Sequence, residues 1–186
     1  MARKVIAHLF SSVNGVSESP NEWQFDAFGP EEGEMLGTTI ATVTDAVMGR
    51  TLWQEWSGFW PSMNDGFADF INAVPKHVVT STLTGDLPWN STAIDGDPVA
   101  HVRALANNGA EGVISVMGGI ETTRSLILGG VIDELTLTVH PVVAGQGRRL
   151  FDESIDTTRL HLVRCVTTQA GNVVVTCSLR GELAIR

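Results

Sequence analysis

Two segments of this 186-residue chain place glycine where a strand-like run gives way to a helix-like one, an arrangement suited to holding an anion. In Val47-Met48-Gly49-Arg50-Thr51 the missing Cβ lets a ligand approach the backbone, and the free amides of the next helix point outward. Thr51 is placed to cap that helix, and Arg50 adds a fixed positive charge. In Val116-Met117-Gly118-Gly119-Ile120-Glu121 the paired glycines make a similar turn without a cation. Thr80-Ser81-Thr82, just after another strand-like run, offers hydroxyls and amides. Any one of these segments alone reads as a turn device. Two glycine junctions at the carboxyl ends of presumed parallel strands point further, to a cradle for a pyrophosphate.

Other chemistries lack their residues. Neither junction has the Gly-x-Gly-x-x-Gly spacing of the dinucleotide fingerprint or the Gly-x-x-x-x-Gly-Lys-Ser/Thr of a P-loop. No Gly-x-Ser-x-Gly nucleophile turn occurs. His8, His77, His101, His140 and His161 are scattered without zinc-ligand spacing, so no metal is expected. The chain has no tyrosine, which removes any phenol from acid catalysis.

The elements that must position these junctions follow from periodicity. Strand and helix alternate to about residue 130: strands over Val5–Ser11, Ala46–Met48, Lys76–Thr80, Thr92–Ile94 and Gly112–Met117, and helices over Pro30 to Val43, Leu52 to Phe59, Asp65 to Ala73, from Asp97-Pro98, and over Ile120 to Leu128. Glu134–Val143, Arg159–Thr168 and Val173–Leu183 then read as long strands with almost no helix between them. The first pattern predicts a mostly parallel sheet, and the second adds antiparallel strands at its edge. The expectation is one three-layer α/β/α domain over residues 1–186.

Composition narrows the partners. Twelve basic against 21 acidic residues give a formal charge of -9, which repels a polyanion, so nucleic acid is not expected. No stretch approaches the roughly 20 apolar residues that span a bilayer, and a cytoplasmic protein without a membrane partner is expected. Cys165 and Cys177 flank Ala170-Gly171-Asn172 and are read as two buried, reduced thiols.

An ordered set of motifs resembles the dihydrofolate reductase superfamily. It comprises Ser11-Ser12-Val13-Asn14-Gly15-Val16, Met48-Gly49-Arg50-Thr51-Leu52-Trp53, Phe59-Trp60-Pro61, Val78-Val79-Thr80-Ser81-Thr82-Leu83, Val116-Met117-Gly118-Gly119, Gly130-Val131-Ile132-Asp133-Glu134-Leu135 and Pro141 to Phe151. The set covers nearly the whole chain. It is most similar to the branch of the reductase domain of the bifunctional riboflavin-biosynthesis deaminase-reductase. The resemblance implies a dihydrofolate reductase-like sheet with a C-terminal antiparallel hairpin, NADPH as cofactor and a homodimer. It implies that Gly49, Arg50 and Thr51 meet the cofactor phosphates, that Thr80, Ser81 and Thr82 lie near the adenosine ribose and its 2′-phosphate, and that Gly118, Gly119 and Ile120 cover the pyrophosphate.

The reaction so implied is hydride transfer to an electron-poor C=N or C=O carbon. Asn14, Trp23 and Phe25 are the candidate substrate wall, and Glu18, Glu22 or Asp26 or water the proton source, with no catalytic residue singled out. Similar sequences carry Asp at the position of Asn14, and Thr51 stands one position early. These two departures motivate the alternative of a non-catalytic dinucleotide- or heterocycle-binding module. Arg148 and Arg149 are expected to pair with local carboxylates, and Asp133 with backbone donors.

Overall fold

The structure is a computed structural model that describes residues 2–180. Its first strand, β1 (Lys4–Ser12), is followed by the short α1 (Pro20–Trp23) and by α2 (Pro30–Ile40). Strand β2 (Val43–Gly49) runs straight into α3 (Arg50–Phe59), a 3-10 turn (Trp60–Ser62) and α4 (Gly66–Ala73). Then come β3 (Lys76–Val79), the short β4 (Asp86–Leu87), β5 (Ser91–Ala93), α5 (Pro98–Ala106), β6 (Val113–Val116) and α6 (Ile120–Leu128). Strands β7 (Glu134–His140), β8 (His161–Thr167) and β9 (Val173–Ser178) complete the described chain.

All nine strands form one sheet in the order β4-β5-β3-β2-β6-β1-β7-β9-β8. The central six, β5 to β7, are parallel, and β4, β9 and β8 pair antiparallel at the two ends. This is the mixed, mostly parallel sheet that the strand-helix alternation predicts. Alternation along each strand divides the core between two faces. Val47 of β2 packs with Val102 of α5 and Leu126 of α6. Its neighbours Ala46 and Met48 pack on the opposite face with Trp53 of α3 and Ile71 of α4.

Local chemistry sets the ends. Asp97 caps α5 by accepting from the amides of Val99 (3.2 Å) and Ala100 (3.1 Å), and Asp65 caps α4 through the amide of Ala68 (2.8 Å). Helix α2 stops at Ile40, short of Val43, because Val43 pairs with Val113 as the start of β2. Strand β7 ends at His140, where Pro141 has no amide to donate. Strand β9 ends at Ser178, short of the expected Leu183: Leu179 and Arg180 lie outside the strand, and residues 181–183 lie outside the described residues.

The thiols need a correction: both are free, but Cys165 is exposed and Cys177 only half-buried, because β8 forms the outer edge of the sheet. The fold also joins residues that the sequence separates. His77 lies 3.1 Å from Asp45, which also pairs with Arg3, and 3.0 Å from His101.

Glu32 ties α2 to the terminal hairpin. It is 3% exposed, and its Oε1 accepts from Thr168 Oγ1 (2.5 Å) and from Asn172 Nδ2 (2.6 Å). Its Oε2 accepts from the Gly29 amide at 3.0 Å. Burial pushes this carboxyl up, but the hydrogen bonds from Thr168, Asn172 and Gly29 outweigh it and hold it below its ordinary value. Glu32→Ala leaves those donors unpartnered, and chemical denaturation should show a loss of about 2–4 kcal/mol at neutral pH. Because the native carboxyl is the stronger acid, the wild-type advantage should shrink as pH falls below about 4.5, the ordinary glutamate value.

Candidate active site

Parallel pairing places the carboxyl ends of β3, β2, β6 and β1 along one edge of the sheet. Gly49 pairs beside Val79, and Val47 beside Val116, so the segments that leave β2 and β6 emerge next to each other. Gly49 is the N-cap of α3, and Gly119 the N-cap of α6. Among the described residues no side chain caps either helix. Their first-turn amides remain open to a ligand, with the positive end of each helix dipole behind them. Thr51 therefore does not cap: α3 already begins at Arg50, which puts Thr51 inside its first turn.

Glycine is required here for two different reasons. Gly118 and Gly119 have φ of +123° and +80°, a region costly for other residues. Gly49 has an ordinary φ of -74°, but a Cβ on it would lie 2.5 Å from Thr122 Oγ1. A Cβ on Gly119 would lie 3.8 Å from the Gly49 amide nitrogen, so the two junctions form one cradle.

The cradle opens into a cleft of about 440 Å³, lined by Thr51, Leu52, Gly118, Gly119 and Ile120 on one side and by Ser17 to Asn21 and Arg148 on the other. His8, Phe10, Trp56 and Met117 line both this cleft and an adjoining apolar one of about 340 Å³. The result is one groove with a polar and an apolar lobe. A wider depression of about 610 Å³ beside Arg149 and Phe151 is reached by neither glycine junction.

Arg148 bridges the polar lobe as expected from its surroundings. Its Nε donates to Glu18 at 2.7 Å, and its Nη1 lies 3.4 Å from Glu121. The Arg148 backbone amide and then its guanidinium hold the Glu18 carboxyl below its ordinary value. Arg50 lies exposed along α3 and donates to Gln54 at 3.0 Å. Thr80 sits one strand from Gly49, and its hydroxyl accepts from the amides of Thr82 (3.1 Å) and Leu83 (3.2 Å), leaving Thr80, Ser81 and Thr82 as an ordered turn at the same sheet edge. Asp133 accepts from the Val5 amide at 2.7 Å.

The expected substrate wall is displaced. Trp23 is buried and donates from Nε1 to Glu18 O (2.8 Å), and it packs with Val16 and Ala144. Phe25 is 77% exposed and faces neither lobe. Asn14 lines a separate depression beside Gly145 to Arg149. Its Nδ2 donates to Ala144 O (2.8 Å), and its Oδ1 accepts from the Ala144 amide (2.9 Å) and from Ser12 Oγ (2.8 Å). The aromatic wall is built instead by Phe10, Phe28, Trp56, Trp60 and Phe67. The pattern placed Trp56 on an amphipathic helix but gave it no partner; His8 was visible only as a polar break in an apolar strand.

The groove also holds Glu55, one helical turn after Thr51, which sequence reasoning passed over. His8 Nε2 lies 2.8 Å from Thr138 Oγ1, and burial pushes its pKa down to about 4, so the ring is neutral at physiological pH.

Comparison with known proteins follows the same architecture. The model of the RibD C-terminal domain family matches residues 3–174. The uncharacterized protein YyaP of Bacillus subtilis is 24% identical over 180 residues, covering 93% of both chains. Among solved structures, a putative riboflavin biosynthesis protein from a Shewanella species superposes with a TM-score of 0.74 at 20% identity, covering 96% of this chain and 98% of the other. Dihydrofolate reductase from Enterococcus faecalis, solved with NADP(H), gives 0.64 at 18% identity, again covering 96% and 98%. The fold is therefore of the dihydrofolate reductase type.

Asn14 serves as a two-way clip on the Ala144 backbone. Asn14→Asp keeps the acceptor but sets a carboxylate oxygen against Ala144 O, so the acidic variant should lose about 1–3 kcal/mol in thermal or urea unfolding. It should not gain an acid limb in any turnover assay, since the side chain faces away from both lobes.

Proposed function

We propose that this chain, which belongs to the RibD C-terminal domain family, is an NADPH-dependent reductase that passes a hydride to an electron-poor C=N or C=O carbon of a small, flat substrate. One observation carries the reading: two uncapped helix N-termini converge on a polar lobe that continues into an aromatic-lined one. A dinucleotide needs the first, and a planar ring suits the second.

The residues present fit NADPH. The first-turn amides of α3 and α6, with Thr51, Gly118, Gly119 and Ile120, would hold its pyrophosphate. Arg50 and the Thr80-Ser81-Thr82 turn lie along the same edge, where the adenosine end and its 2′-phosphate would be read. The bound cofactor supplies the hydride. His8, Phe10, Trp56 and Met117 line the junction of the lobes, where they orient the reacting rings and exclude water. Glu18 is engaged by Arg148, which leaves water and Glu55 as proton sources within the groove.

A second reading, a binding module without turnover, is favoured by the locked amide of Asn14, which stands where similar sequences carry Asp and has no free polar atom toward the groove. Absorbance of NADPH separates the two: oxidation with any member of a panel of pterins, imines and carbonyls establishes turnover, whereas tight cofactor binding with no oxidation across the panel favours the module.

The reading also places the protein in the cytoplasm as a homodimer. No helix among the described residues is long and apolar enough to cross a membrane. Strand β8 leaves one edge unpaired among the described residues, with Leu162 and Val163 65% and 54% exposed, and a second copy would cover it.

NADPH should raise the melting temperature more than NADH at equal saturating concentration. Replacing Ser81 and Thr82 by Ala should narrow that difference while leaving the NADH shift in place; equal or absent shifts for both cofactors in the wild type would count heavily against the proposal. Light scattering at micromolar concentration should give twice the 19.9 kDa chain mass, and a monomer would reject the dimer.

A further inference from the structure

The apolar lobe carries no charge. Its walls are Phe28, Leu36, Ile40, Trp60 and Phe67, joined by the four residues shared with the polar lobe and by the uncharged Gln24, Thr39, Ser115 and Val116. Among the described residues, no Arg or Lys lines this lobe. Thr39 already donates its hydroxyl to Met35 O at 2.9 Å. Among the described residues, the only titratable side chain in the lining is His8. Its Nε2 is engaged by Thr138, while its Nδ1 has no hydrogen-bond partner among the described residues.

The aromatic rings meet edge to face: Trp56 and Trp60 at 5.9 Å, Trp60 and Phe67 at 4.8 Å, Phe10 and Phe28 at 5.9 Å. Such walls favour another ring. A volume of about 340 Å³ lies at the small end of ligand cavities, which begin near about 300 Å³. An ionised phosphate or carboxylate entering this lobe would lose part of its hydration and find no cation among the described residues, which weakens its binding.

Resting on the reductase reading, we infer that the substrate reduced here is an uncharged, flat aromatic or heteroaromatic compound whose reducible carbonyl or ring imine faces His8, and that sugar phosphates are excluded from the lobe. In the tautomer this requires, Thr138 donates to Nε2, and the neutral imidazole carries its hydrogen on Nδ1 and donates it to the substrate oxygen or nitrogen. In the step itself a hydride adds to the C=O or C=N carbon and the π bond breaks. The oxygen or nitrogen takes that electron pair and then a proton from water, and the nicotinamide is left oxidised. His8 is a positioning residue for this substrate: it polarises the acceptor atom and keeps its own proton.

The test uses the whole chain with three probes: quinoxaline, which is flat, uncharged and contains ring imines; quinoxaline carboxylate, the same ring bearing a charge; and naphthalene, the same shape without an acceptor. Quenching of tryptophan fluorescence reads binding. Quinoxaline should bind at least about tenfold more tightly than its carboxylate. Ile40→Arg, on the rim of the lobe, should strengthen carboxylate binding about tenfold. His8→Phe should weaken quinoxaline about tenfold and naphthalene less than about twofold, and His8→Gln, which keeps an N–H donor, should restore much of the loss.

A carboxylate that binds the wild type as tightly as quinoxaline overturns the inference. So does an absence of quinoxaline binding in protein that NADPH still stabilises, a result that leaves the reductase reading intact. Selective quinoxaline binding without any NADPH stabilisation sinks the reductase reading and leaves the charge preference of the lobe standing. Equal losses for quinoxaline and naphthalene in His8→Phe would reduce His8 to a packing residue.

Discussion

Two helices begin side by side at one edge of this sheet only because Gly49 has no Cβ. Thr122 Oγ1 occupies the space that a side chain at Gly49 would need, 2.5 Å from where its first carbon would lie. Thr122 lies on the first turn of α6, and Gly49 caps α3, so this contact fixes the separation of two open helix ends. A larger residue would push the helices apart and divide the cradle. The positive φ values of Gly118 and Gly119 serve the same geometry from the other strand, by turning the chain sharply enough for α6 to start beside α3. The pairing of β2 with β6 supplies the register; the three glycines turn that register into a binding surface.

The groove resolves an apparent conflict in the composition. A chain of net charge -9 is a poor host for a phosphorylated ligand if charge is averaged over its surface. At the cradle an anion would meet oriented amides, which do not appear in a count of ionised residues. Arg50 is free to lie along α3 with Gln54, and Arg148 is held by Glu18 and Glu121. The apolar lobe has the opposite character: among the described residues no cation lines it, so the two ends of one groove differ sharply in polarity.

How much of this was legible in the sequence depends on the range of the interaction. Junctions at Gly49 and at Gly118-Gly119 are local, set by residues next to one another, and both were readable with their following helices; α6 begins and ends where periodicity placed it. The Thr51 cap failed by two residues, because helix α3 starts as soon as the strand ends. The substrate wall was misplaced for a longer-range reason. Trp23 and Phe25 are close in sequence to the motif around Asn14, but Trp23 is drawn under the loop by Val16 and Ala144, while Phe25 turns outward. Phe10, Trp56 and Phe67 reach the lobe from three separate elements, and a single strand or helix pattern shows only that each is half-buried. The contact between His77 and His101 was hidden in the same way, since it depends on α5 lying across β3.

Proton supply is where local and long-range information meet. The sequence shows no tyrosine and an amide at Asn14, and both facts stand. The structure adds that Asn14 is needed as an amide: the Ala144 backbone offers one donor and one acceptor, and only a side chain with both can answer them. The amide at this position therefore accounts for the order of the loop. His8 is the better guide. A histidine held neutral by burial, anchored by Thr138 on one nitrogen and set where two lobes meet, can polarise a carbonyl or ring imine without delivering its own proton. Such a group demands little of its surroundings except that they stay dry, and the ring of Phe10, Trp56 and Met117 about it meets that demand.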